Sequence, residues 1–218
     1  MHIILYIIRH GQSKDNLNKI IQGQTDSPLT ELGKEQAECA AKRLSFTEFS
    51  GIYSSDLERA LETAEIIASY QKCKVTPSKL IRESYMGLAQ GLTQEQFAEK
   101  YPKEYEMWLC DSINNRPPQA ESIVDIIARC SQFVEEIKKN HKDGDNVLAV
   151  CHGGSLRGLI CAACGFDPNF FSKLRCFNAG LCIVHIGDRV SLTLFNDTSH
   201  LRGITRTDVD SLQFSVSK

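Results

Sequence analysis

The chain has 218 residues, 42% of them apolar, and a formal net charge of -2; one α/β domain over residues 1–218 with a sizeable core is expected, without a global pull toward nucleic acid or anionic lipid. Nine cysteines, an odd number without regular spacing, argue against a disulfide scaffold and for a reduced, cytoplasmic protein. No apolar stretch reaches the roughly 18 residues of a membrane span, and the N-terminal run lacks a charged start and a small-residue cleavage site.

The first element is an apolar run, Ile3 to Ile8, read as a buried strand that stops at Arg9-His10-Gly11. After a polar loop, Ser27-Pro28-Leu29-Thr30 introduces a helix with Leu32, Ala37, Ala40, Ala41 and Leu44 on one face. Gly51 to Ser54 reads as a strand, and Asp56 is the expected N-cap of a helix carrying Leu57, Ala60, Leu61, Ala64 and Ile67, with Arg59 in its first turn. Thr93 and Gln96 form a capping box for a helix toward Lys100, with Pro102 marking a break.

Ser122 with Asp125 caps a long amphipathic helix through Ile137 that ends before the turn at Lys142 to Asp145. A second apolar run, Val147 to Cys151, then stops at His152-Gly153-Gly154. The remainder reads as a helix from Leu156 to Cys164 and two strands, Leu181–Ile186 and Ser191–Phe195, joined through Gly187-Asp188. Cys161 and Cys164 form a lone CxxC on an apolar helix, for which packing is the expected role. Alternating strands and helices predict a three-layer α/β/α sandwich around a mostly parallel sheet.

Each histidine thus stands where a buried strand ends, the place where open α/β sheets bind ligands. A neutral imidazole can attack phosphorus, which makes His10 the candidate nucleophile. Phosphoryl oxygens need cations, and Arg9 and Arg59 can supply bidentate forks, with a protonated His152 as a third donor. Glycines 11, 153 and 154 are expected to let backbone approach the anion. Glu83 follows a short apolar run and precedes Gly87 and Gly91, which makes it the candidate general acid for a leaving alkoxide. Ser13, Gln22 and Gly23 lie in a loop that could wrap phosphate or simply hold a turn. His200 is read as a satisfied histidine of a C-terminal loop.

Several blocks occur in order: Arg9-His10-Gly11-Gln12-Ser13 with Asn16, Gly23 and Asp26, Leu29 to Gly33, Ser54 to Ala60, Glu83 with Gly87 and Gly91, Glu121-Ser122, His152-Gly153-Gly154, and Asn196 to Leu201. Together they resemble the histidine phosphatase superfamily over nearly the whole chain. The resemblance implies a phosphoglycerate mutase-like fold, a phosphohistidine at His10, phosphate ligation by Arg9, Asn16, Arg59 and His152, an acid at Glu83, and no metal; Gln22, Gly23 and Gly153 join the candidate phosphate-binding residues, and no cofactor is expected.

Within that family the chain departs from phosphoglycerate mutases. Gln94 stands where mutases place a substrate-binding lysine, Leu109-Cys110 replace a pair of arginines, and Gly154 replaces an asparagine. It also differs from many family phosphatases, with Leu88-Ala89-Gln90 in place of a tryptophan–glutamate pair and Ser84 in place of a basic neighbour. The expectation is a phosphomonoesterase acting on a small phosphorylated metabolite, with no nucleic-acid or membrane partner and the oligomeric state open. The alternatives are a phosphoglycerate mutase and a catalytically silent phospho-ligand-binding module.

Overall fold

The computed structural model describes residues 2–204. In chain order the elements are β1 (Ile3–Arg9), α1 (Lys14–Leu17), α2 (Glu31–Leu44), β2 (Gly51–Ser54), α3 (Glu58–Ala68), β3 (Val75–Pro77), α4 (Gln94–Lys100), α5 (Pro102–Cys110), α6 (Ile123–Asn140), β4 (Asn146–Cys151), α7 (Gly153–Cys164), β5 (Leu181–Ile186) and β6 (Ser191–Asp197). The six strands form one sheet in the order β3-β2-β4-β1-β5-β6. The first four of that order run parallel, and β5 and β6 are antiparallel additions at one side. The mostly parallel α/β/α arrangement is therefore as expected.

The sheet is covered on both faces, which is why β1 and β4 read as continuous apolar runs. Ile3, Leu5 and Ile7 of β1 pack with Ile126, Phe133 and Ile137 of α6 and Leu156 and Leu159 of α7. Ile8 belongs to the opposite core, with Ala40, Ala41 and Leu44 of α2 and Ala60, Ala64 and Ile67 of α3. Small side chains recur there because α2 and α3 share one face of the sheet. A third, smaller cluster, Ile21, Met86, Ala89, Phe97 and Trp108, holds α4 and α5 against the loops at the strand ends.

Register positions the two histidines. In the β1–β4 pairing Arg9 lies opposite Cys151, so His10 and His152 each stand one residue beyond a matched pair. Adjacent strands lie roughly 4.8 Å apart, and the two imidazole centroids are accordingly 5.1 Å apart.

Some expected details differ. Asp56 does not cap α3. The N-cap is Leu57, whose side chain makes no cap hydrogen bond, and Asp26 Oδ1 instead accepts from the Glu58 N–H at 2.9 Å. Asp56 is drawn away by Arg82, whose Nε and Nη2 donate to its two oxygens at 2.6 Å each. Pro102 breaks α4 and also begins α5, because the missing N–H is harmless at the first helical position. Helix α7 begins at Gly153, not Leu156, so both glycines are helical. Helix α1 and strand β3 were not anticipated; each is under five residues. No helix among the described residues is long and apolar enough to cross a membrane. The expected domain includes residues 1 and 205–218, which lie outside the described residues.

Candidate active site

At the carboxyl ends of β1, β2 and β4 a cavity of about 460 Å³ is lined by Arg9, His10, Asn16, Gln22, Gly23, Arg59 and Glu83, together with Ile21, Ser84, Met86 and Arg157. Seven residues named from the sequence thus share one wall system. His152 lies directly behind His10 and, like Gly153, does not itself line the space.

His10 is 2% exposed, and its Nδ1 lies 2.6 Å from the carbonyl oxygen of Gly11. A carbonyl only accepts, so the proton sits on Nδ1 and the Nε2 lone pair is left unprotonated. Burial, then Arg59 and Arg9, push the ring's pKa well below 6.5 against the opposing effect of the Gly11 bond. The imidazole is therefore neutral at physiological pH, the state a nucleophile requires.

His152 is fully buried and its Nε2 has no hydrogen-bond partner. Burial, then Arg59, His10 and Arg9, hold its pKa well below 6.5. The expectation of a protonated His152 is thus not met: the ring is removed from water and surrounded by cations.

The two arginines are held from opposite sides. Arg9 Nη1 donates to the Cys176 carbonyl at 2.5 Å. Arg59 is 1% exposed, and its Nη1 and Nη2 donate to the carbonyls of Thr25 and Gly23 at 2.7 and 2.8 Å. Burial lowers its pKa to about 10, with Glu83 and Asp26 opposing, so it stays cationic at neutral pH. Its Nε remains buried and unpartnered. Arg59 thus both charges the cavity and holds the loop carrying Gln22 and Gly23.

That loop meets α1 from the other side. Ser13 caps α1 by accepting from the Asn16 N–H at 3.2 Å, and its hydroxyl donates to Gln22 Oε1 at 2.9 Å. Asn16 uses only Oδ1 in its bonds, accepting from the Ser13 N–H and from Asn178 Nδ2 at 3.2 Å each, which leaves its own Nδ2 donors for the cavity.

Glu83 is fixed at both ends. Its Oε1 accepts from the backbone N–H groups of Ser84 at 2.7 Å and Gly154 at 2.8 Å. Its backbone carbonyl accepts from Gln24 Nε2 at 3.0 Å and Arg129 Nη2 at 3.2 Å. Both backbone N–H donors reach Oε1 and leave Oε2 out of the pairing. A Cβ on Gly154 would stand 2.1 Å from Ser84 Oγ and 2.2 Å from Glu83 Oε1, so the glycine lets the carboxylate reach the Gly154 N–H with neither side chain having to shift. Gly11 is likewise required by packing, since a Cβ there would meet the Gly33 carbonyl.

Asn178 was not anticipated. Its Nδ2 also donates to the His10 carbonyl at 3.0 Å, and the Ala179 N–H reaches the Arg9 carbonyl at 3.1 Å. Asn196 holds this loop by accepting from the Phe177 N–H at 2.8 Å. An asparagine among Phe, Ala and Gly just before a strand offers no chemical pattern that would have marked it. His200 stays outside the site, with Nδ1 3.3 Å from Arg43 Nη1, and burial followed by Arg43 lowers its pKa to about 4. Cys161 and Cys164 are free thiols, and burial raises the pKa of both, that of Cys161 to about 11.

A model of the histidine phosphatase superfamily (branch 1) matches residues 5–198. Phosphoserine phosphatase 1 of Hydrogenobacter thermophilus is 33% identical over 198 residues, 90% of this chain and 93% of that protein. A probable phosphoglycerate mutase GpmB of Proteus mirabilis is 32% identical over 215 residues, 94% of this chain and 98% of that protein. The crystal structure of a mutant phosphoserine phosphatase from Entamoeba histolytica in complex with phosphoserine superposes with a TM-score of 0.80 at 29% identity, covering 91% of this chain and 99% of the other.

Proposed function

The chain belongs to the histidine phosphatase superfamily, branch 1, and from that premise we propose that it hydrolyses small phosphomonoesters in two metal-independent steps at the cavity around His10. The observation that carries this reading is the His10 hydrogen bond to the Gly11 carbonyl, which leaves a neutral Nε2 beside the two buried guanidinium groups of Arg9 and Arg59.

In the first step the Nε2 lone pair forms a bond to phosphorus as the bond to the leaving oxygen breaks. Glu83 passes its proton to that oxygen, so a neutral alcohol departs. Arg9, Arg59 and the Asn16 amide meet the equatorial oxygens, where charge must be held throughout. His152, packed against the His10 ring at 5.1 Å between centroids, supports it from outside the cavity wall. In the second step water attacks phosphorus, the P–N bond breaks, and Glu83 takes the proton that water loses. Guanidinium groups thus supply the positive charge that a metal ion would otherwise bring.

Hydrolysis is favoured over return of the phosphoryl group to a second hydroxyl. The cations that mutases place at the positions of Gln94, Leu109 and Cys110 are missing. The reading predicts inorganic phosphate release from phosphoserine or p-nitrophenyl phosphate with EDTA present, lost in His10→Ala. Phosphoryl transfer between the hydroxyls of phosphoglycerate without net release would support the mutase instead, and phosphate binding without turnover would support a silent binder.

A further inference from the structure

Next to the cavity at His10 lies a second one, of about 540 Å³, and the two share Ser84, Met86 and Arg157 as a common wall. The second chamber is largely apolar, with Trp108, Ile113, Ile123, Ile126 and Phe171 among its lining residues. Of its other charged lining residues, Glu121 is paired with Arg129 at 2.7 Å and Arg116 is exposed to solvent. What distinguishes the chamber is the residue between it and the reacting centre.

Arg157 is only 7% exposed. Its Nε donates to the Gly153 carbonyl at 3.0 Å, and its guanidinium lies 4.6 Å over the Phe171 ring. Those contacts fix the plane of the fork, and neither Nη has a hydrogen-bond partner among the described residues. Charge balance points the same way. When Glu83 holds the proton it is to donate, Arg9, Arg59 and Arg157 carry three positive charges around that cavity, while a phosphomonoester dianion brings only two negative ones. One positive charge is left over, on a planar fork shaped for a carboxylate.

We infer that the leaving alcohol carries a carboxylate close to the ester oxygen, bound by Arg157, and an apolar group beyond it that fills the chamber lined by Trp108, Ile113 and Phe171. The preferred substrates are therefore phosphorylated hydroxy acids bearing an apolar substituent, larger than phosphoserine itself. Arg157 is a specificity residue in this scheme and takes no part in bond making. The inference rests on the phosphomonoesterase reading and sharpens it.

Four esters separate the two features: phosphoethanolamine, phosphoserine, and the N-benzoyl derivative of each. Phosphate release by the whole protein should give the highest kcat/KM for N-benzoylphosphoserine, with the carboxylate worth about tenfold or more within each pair, mostly in KM. In Arg157→Gln the ratio within each pair should fall toward one, and Arg157→Lys should restore part of it. Ile113→Trp, which fills the chamber, should abolish the gain from benzoylation yet keep the carboxylate ratio. Flat ratios in the native protein, or an Arg157→Gln protein that keeps them, would overturn the inference while phosphate release itself stands. No release from any ester by the native protein would instead remove the reading beneath it.

Discussion

His10 owes its chemistry to what surrounds it. A histidine at a strand end is ordinarily a hydrogen-bonded structural group, but here Nδ1–H donates to the Gly11 carbonyl while burial, Arg59 and Arg9 keep the ring from gaining a second proton. The imidazole nitrogens of His10 and His152 should therefore remain neutral in NMR spectra as the pH of the free protein falls through 6.5, the ordinary value from which both are lowered. Saturating phosphate should move the His152 titration upward, because an anion offsets the repulsion from Arg59. A ring that titrates at or above 6.5 in the free protein would contradict the assignment.

Glu83 is tested by its leaving group. Glu83→Gln keeps an acceptor for the Ser84 and Gly154 N–H groups but has no proton to give. Hydrolysis of phosphoserine, whose alkoxide is a poor leaving group, should slow by roughly 10²–10⁴-fold. p-Nitrophenyl phosphate, whose leaving group needs no proton, should slow far less in the first step. Equal losses on both esters would point to a structural role.

At the scale of elements, the site is held by contacts between segments distant in sequence. Helix α3 carries Arg59 in its first turn, yet its N-terminus is capped by Asp26, from the loop that Arg59 itself holds through Thr25 and Gly23. Helix start and loop therefore stabilise one another. Asp26→Ala should cost about 1 kcal/mol in urea unfolding, within the range of N-cap deletions, and should raise KM because the loop carrying Gln22 and Gly23 loses an anchor. Unchanged stability would mean that water caps the helix equally well.

The same elements show what could be read in advance. Runs such as Ile3 to Ile8 and the Ser122–Asp125 capping box have local causes, namely burial on both faces and a reciprocal hydrogen bond, so their positions were legible. That seven candidate residues line one cavity follows from their places after strands and in the loops that meet there. Asp26 as a cap, Asp56 as the partner of Arg82, and Asn178 as a brace for His10 depend on which loops meet in space. No window of sequence holds that information.

For the whole molecule, three histidines are buried neutral. His10 and His152 lie well below 6.5, and His200 lies at about 4. Below pH 6.5 the unfolded chain takes up protons that the folded chain does not, so stability is fully present above that value and declines as pH falls toward the folded-state values. The Arg82 hydrogen bonds that lower the pKa of Asp56 add a loss of the same sign at still lower pH. Urea midpoints should drop between pH 7 and pH 5, and less steeply in His10→Asn than in the native chain. A flat profile would show that these rings remain solvated enough to titrate normally.

All of this converges on one covalent intermediate. Mixing the protein with phosphoserine in the presence of EDTA, quenching under alkaline conditions that preserve phosphohistidine, and sequencing the peptides by mass spectrometry tests it most directly. The account predicts a phosphoryl group on His10, formed as fast as phosphate is released and missing from His10→Ala. Steady phosphate release with His10 unmodified, or with the phosphoryl group on another residue, would contradict it.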